Sequence, residues 1–166
     1  MERSSITEQD HAHLLFVAQW MFAYICYQDP IPFRDMSCML DVRSIIYVTK
    51  RMRMSFDEKR YGELFASIRC LSNLLRVIDA LDESKNEETQ DSAESLKSSL
   101  FYEKSTTDLV VQLCQDVHFV NVEYLVELVD LVHVLLKILG NYASGKQFMF
   151  VRRGQGQGRR KRQNGF

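Results

Sequence analysis

Proline is almost missing from this chain of 166 residues: only Pro30 and Pro32 occur, one residue apart. Proline lacks the backbone N–H and clashes with the preceding turn, so elsewhere nothing bars long helices. A long apolar run is missing too. The best candidate, Leu14 to Tyr27, contains Gln19 and falls short of the roughly 20 residues that span a bilayer. It predicts a core helix, and neither a secretory signal nor a membrane role is read. The four cysteines, Cys26, Cys38, Cys70 and Cys114, form no CxxC pair. Each lies among apolar helical residues, which predicts reduced, buried thiols in an intracellular protein.

Catalytic signatures are also lacking. No phosphate loop, dinucleotide fingerprint, zinc pattern or nucleophile elbow occurs. His11 and His13 are two residues apart, which puts them on different sides of a helix, and no cysteine or carboxylate set completes a metal site. His118 and His133 lie in apolar surroundings without a nucleophile and orienting acid, and are read as core or interface histidines. Glu58, Glu63, Glu123 and Glu127 are read as surface charges of helices. The expectation is a binding protein rather than an enzyme, with no cofactor and no small-molecule substrate.

What is present suits one globular unit: 46% hydrophobic and 26% charged residues, a balance that supports a core. The net charge of −1 hides an asymmetry. Arg152, Arg153, Arg159, Arg160, Lys161 and Arg162 stand in a C-terminal stretch without an acid. The remaining body has 15 basic against 22 acidic residues, a net −7. Such asymmetry suggests an interaction tail.

Along the chain, Ser5 and Glu8 have the S-x-x-E spacing of a capping box. They predict a first helix, apolar on nearly every side and therefore covered by others, which Asp29-Pro30-Ile31-Pro32 ends. A second helix is expected over about Asp35 to Met54. Its Lys50, Arg51 and Arg53 either complement the negative end of the helix dipole or face an anionic partner. Ser55 and Glu58 repeat the capping spacing and predict a third helix. Its stripe runs through Tyr61, Leu64, Phe65, Ile68, Leu71, Leu75, Ile78 and Leu81. Residues 82–93, DESKNEETQDSA, are expected to form an acidic mobile loop. A fourth helical region covers about Ser92 to Val117, with a break expected near residues 105–108. The fifth is expected from Asn121, with core positions Tyr124, Leu125, Leu128, Leu131, Val132, Leu135, Leu136 and Leu139. Gly140 or Gly145 would stop it.

Residues 147–151, QFMFV, form an apolar patch: a strand, a docked turn or a partner motif. Residues 152–166 read as a disordered basic Gly/Gln/Arg-rich tail. The fold expected is therefore all-α: a HEAT/armadillo-like helical-repeat (α-solenoid) segment of about five helices over residues 1–151, followed by that tail. The cations at Arg159–Arg162 could neutralise phosphates, act as a nuclear localisation signal, or only solubilise the terminus. Without interleaved aromatics, base stacking is not indicated.

The second half reads as an ordered string: ESLKSSLFYEKSTTDLVVQLCQDV, YLVELVDLVHVLLKIL, a short apolar segment and a basic run. It resembles the Timeless family of replication-fork proteins over about Asp35 to Arg162. The matching positions are Phe101, Tyr102, Leu128, Val129, His133, Leu136, Lys137 and Leu139, then Arg159 to Arg162. The chain looks like the end of that family's amino-terminal helical-repeat region, as a fragment or a truncated gene product. The resemblance implies a nuclear, non-enzymatic scaffold in fork protection, pausing and checkpoint signalling. Its implied partners are a Tipin-like small subunit, replisome and helicase proteins, and non-specific DNA met by Arg152, Arg153, Arg159, Arg160, Lys161 and Arg162. The alternative is a generic nuclear helical-repeat adaptor, or a circadian-clock relative, without a direct DNA role.

Overall fold

The computed structural model describes residues 6–28, 31–84, 86–102, 104–116 and 122–145, so the basic tail and the 147–151 patch lie outside the described residues. The fold is all-α: α1 (Glu8–Cys26), α2 (Phe33–Met36), α3 (Val42–Asp57), α4 (Tyr61–Asp82), α5 (Glu87–Tyr102), α6 (Lys104–Gln115) and α7 (Val122–Gly145), with no strand among the described residues.

The cap of α1 is shifted from the expected Ser5. Thr7 Oγ1 accepts from the Asp10 backbone N–H at 3.2 Å, and the Asp10 carboxylate accepts from the Thr7 N–H at 2.8 Å. A T-x-x-D pair thus does the reciprocal capping. The predicted second helix is divided into α2 and α3. The link between them turns so that Leu40 is buried, with its N–H donating to the Met36 carbonyl at 3.1 Å.

Ser55 is not an N-cap. It is buried inside α3 and its hydroxyl donates to the Met52 carbonyl. The segment instead ends α3. Lys59 takes the left-handed conformation at φ 57°. The Arg60 N–H donates to the Ser55 carbonyl at 2.8 Å and the Lys59 N–H to that of Phe56 at 3.1 Å. This pair of bonds is a Schellman C-cap, and it turns the chain into α4.

The acidic stretch is mostly helix, not a loop. The link after α4 ends at Asn86, whose side-chain oxygen accepts from the Glu88 N–H at 3.0 Å. Glu87 and Glu88 occupy the first turn of α5, where negative charge is favoured by the dipole. Thr89 and Ala93 are buried, which holds the stretch against the body. Helix α5 ends at Tyr102 and α6 begins at Lys104, ahead of the break expected near residues 105–108. Thr106, expected in the break, is buried within α6.

Helix α4 is the hub and packs against α1, α3, α5 and α7. Leu64, Ile68, Leu71, Leu74, Leu75, Val77, Ile78 and Leu81 are all essentially inaccessible, each worth roughly 1.5–3 kcal/mol of apolar burial. The burial is broader than the predicted stripe, although Tyr61, placed on that stripe, is exposed.

Candidate partner-binding surface

Three polar arrangements fix α4 to its neighbours. Asn73 donates to the Gln19 carbonyl of α1 at 3.0 Å. Toward α7, Ser72 donates to Asp130 at 2.6 Å, Arg76 pairs with the same carboxylate, and Arg69 lies 3.3 Å from Glu127. Lys137 reaches Asp79 at 2.6 Å, which raises its pKa through that hydrogen bond and its charge.

A charged network ties α1, α3 and α4. Arg51 Nε donates to Glu63 at 2.7 Å, and Arg51 and Arg60 both bind Glu8. Arg60 also lies 2.8 Å from Glu58. Hydrogen bonds from Arg51 and then Arg60 hold the Glu8 carboxyl down at about 2. Burial works against the Arg51 charge, but its bonds to Glu8 and Glu63 outweigh this and raise its pKa. Arg51 and Glu63 are therefore corrections to the sequence reading. Both are buried. Of the expected basic cluster only Lys50 is exposed, while Arg53 donates to Gln112 at 2.6 Å.

The helices that surround the hub leave apolar faces open. On α7, Val122, Leu125, Val126, Val129 and Leu136 are exposed at spacings of one to seven residues along one side. His133, also exposed, stands among them. Expected core positions Leu125 and Leu136 therefore face outward. Val134 and Ile138 take core places instead. On α1 and its C-cap, Val17, Trp20, Tyr24 and Tyr27 form a second exposed row, with Trp20 67% accessible and stacked on Tyr24 at 5.7 Å. The expectation that α1 is covered all round fails on this side. Contiguous exposed apolar patches mark sites for partners. No described helix is long and apolar enough to cross a membrane.

All four cysteines are free, and the expected burial holds for only one of them. Cys70 is buried, and burial pushes its thiol up to about 12. Cys26 is half-buried, and Cys38 and Cys114 are exposed. Burial likewise lifts Tyr124 to about 12. His11 Nδ1 lies 2.8 Å from the Tyr47 hydroxyl, and no metal-holding group of three or more His, Cys, Asp or Glu occurs among the described residues. Of the resemblance positions, Leu128 is buried and Phe101 packs on Tyr142 at 5.5 Å. Val129, His133 and Leu136 belong to the outward face of α7, and Lys137 is the ion-pair partner of Asp79. His118 and the predicted tail contacts Arg152, Arg153, Arg159, Arg160, Lys161 and Arg162 lie outside the described residues.

No family model matches the chain. It is similar to proteins named Topoisomerase 1-associated factor 1. The relative from Aspergillus oryzae is 31% identical over 114 residues, 69% of this chain and 10% of that protein. The relative from Cryptococcus neoformans var. neoformans serotype D is 25% identical over 168 residues, covering 92% of this chain and 16% of its own length. That from Phaeosphaeria nodorum is 31% identical over 105 residues, 63% of this chain and 9% of the relative. The chain thus spans a small part of each of these relatives.

Proposed function

We propose that this chain is a non-enzymatic helical scaffold of the Timeless type, acting in replication-fork protection and pausing and in checkpoint signalling. The observation that carries the reading is the match to Topoisomerase 1-associated factor 1 over 92% of the chain. Its described helices supply a rigid surface with apolar rows on α1 and α7. Rigid helices with open apolar faces bind partners without chemistry of their own, because burying those faces drives association.

The partners proposed are a Tipin-like small subunit, replisome and helicase proteins, and a topoisomerase 1, the last suggested by the relatives' name. The site of action proposed is the nucleus. The basic run Arg152, Arg153, Arg159, Arg160, Lys161 and Arg162 is proposed to approach DNA phosphates without reading sequence, so that contact weakens as salt rises.

The test is co-purification of the full chain with a Tipin-like subunit and with topoisomerase 1, beside Val126→Glu/Val129→Glu. Both valines are exposed, so the variant keeps its fold. Capture by the parent chain and loss in the variant is the expected result. Capture of neither partner by the parent chain overturns the reading. For DNA, Ala at residues 159–162 is expected to weaken duplex binding and flatten its salt dependence, and unchanged affinity removes the phosphate role.

A further inference from the structure

A second feature, beside the C-terminal end of α1, does not depend on the replication reading. Where α1 ends and α4 gives way to α5, a partly open groove of about 950 Å³ is lined by both junctions. Its apolar lining comes from Ile31, Pro32 and Phe33 on one side and Ala80 and Leu81 on the other. Ile31 and Phe33 pack on the core, and Leu81 is fully buried, so this lining is held in place. Among the described residues, the charged ones that line the groove are acidic: Asp35, Glu83 and Glu88, each exposed. Asp35 and Glu88 have no ion pair among the described residues, and Glu83 has only a 3.7 Å approach from Lys137. The volume is that of a ligand site. The chemistry is an apolar slot ringed by carboxylates.

We propose that this groove docks a short basic peptide segment of a partner protein, with one large apolar side chain in the slot and adjacent Lys or Arg residues on Asp35, Glu83 and Glu88. Charge complementarity selects this occupant. An acidic or phosphorylated segment would meet like charge on the rim, and a neutral helix would leave the carboxylates without a counter-charge.

The experiment titrates the full chain with a fluorescein-labelled hexapeptide, Leu-Phe-Lys-Arg-Lys-Arg, by fluorescence anisotropy. Two control peptides replace its cations by Glu or its Leu-Phe pair by Ser-Ser. The expected result is saturable binding of the first peptide and neither control. Glu83→Lys/Glu88→Lys, both at exposed positions and with helix content checked by circular dichroism, is expected to lose about tenfold in affinity, or about 1.4 kcal/mol. It is also expected to gain binding of the Glu-bearing control. Phe33→Ala is expected to weaken binding without changing its salt dependence. Equal affinity of the charge-reversed variant and the parent chain overturns the proposal, as does equal binding of the Ser-Ser peptide. Stronger binding after Arg152→Gln/Arg153→Gln, with the other variants unchanged, overturns the partner assignment in favour of the chain's own basic run. Loss of Tipin-like or topoisomerase 1 capture leaves these outcomes untouched, so the two readings fail separately.

Discussion

Arg51 stands between two helices with its guanidinium buried against Glu63 and reaching Glu8. Removing one member of such a pair leaves an uncompensated buried charge, which costs more than the pair itself contributes. Arg51→Ala is expected to lower stability by about 3 kcal/mol, read as a shift of the urea midpoint. The partner Glu8 gives the same network a pH signature. Its carboxyl titrates at about 2 in the fold against an ordinary 4.5. The stabilisation is therefore complete above the ordinary value and is lost as pH falls toward the lower one. Urea midpoints measured downward from pH 5 should fall for the parent chain and fall less for Glu8→Gln. An equal pH dependence in both would show that Glu8 does not carry the effect. Thiol labelling tests the cysteines: Cys38 and Cys114 are exposed and Cys70 is buried. Cys70 is expected to react with a thiol reagent only upon unfolding.

Helix ends and interiors carry further expectations. Lys59 holds a left-handed conformation at the C-cap of α3, a position where glycine has no Cβ penalty. Lys59→Gly is expected to stabilise the chain by about 0.5–1 kcal/mol. Gly140 lies inside α7, and an added Cβ would meet nothing within 4 Å. Gly140→Ala should also add about 1 kcal/mol, and both changes are checked by thermal unfolding. The same elements show which sequence signals misled. Ser55 and Glu58 have capping spacing, yet the segment is a C-cap, because two residues three apart do not say which end of a helix they belong to. The run 82–93 has loop composition, yet Glu87 and Glu88 suit a first turn, and burial of Thr89 and Ala93 anchors it.

At the scale of the whole molecule, one buried helix organises the others and leaves the outward faces of α1 and α7 for contact. Trp20 is the single tryptophan and stands on the exposed row of α1. Its emission is expected to be that of a water-exposed indole, open to acrylamide, and to shift to shorter wavelength when a partner covers α1. An unchanged spectrum in a saturated complex would exclude that row from the interface. The outward face of α7 should respond separately, through Val126→Glu/Val129→Glu, with a stability change within about 0.5 kcal/mol.

By itself the sequence determined the all-α class, the end of α1 ahead of the proline segment, and the core line of α4, because spacing at three and four residues is a local property of one helix. It also carried the resemblance to the Timeless family, beside which stands the similarity to the Topoisomerase 1-associated factor 1 proteins. Only the tertiary structure decided which apolar residues are core and which are surface. Leu125 and Leu136 are as apolar as Leu128 and Leu131, and the packing of α7 on α4 separates them. The same packing placed Arg51 and Glu63 inside. Arg51 stands three residues after Val48 and four before Ser55, both buried, so helical phase put it on the inward face. Its charge argued for water until a carboxylate from another helix met it there. The acidic groove is of the same kind: its residues lie on segments far apart in the chain, and only the fold brings Asp35 to Glu83 and Glu88.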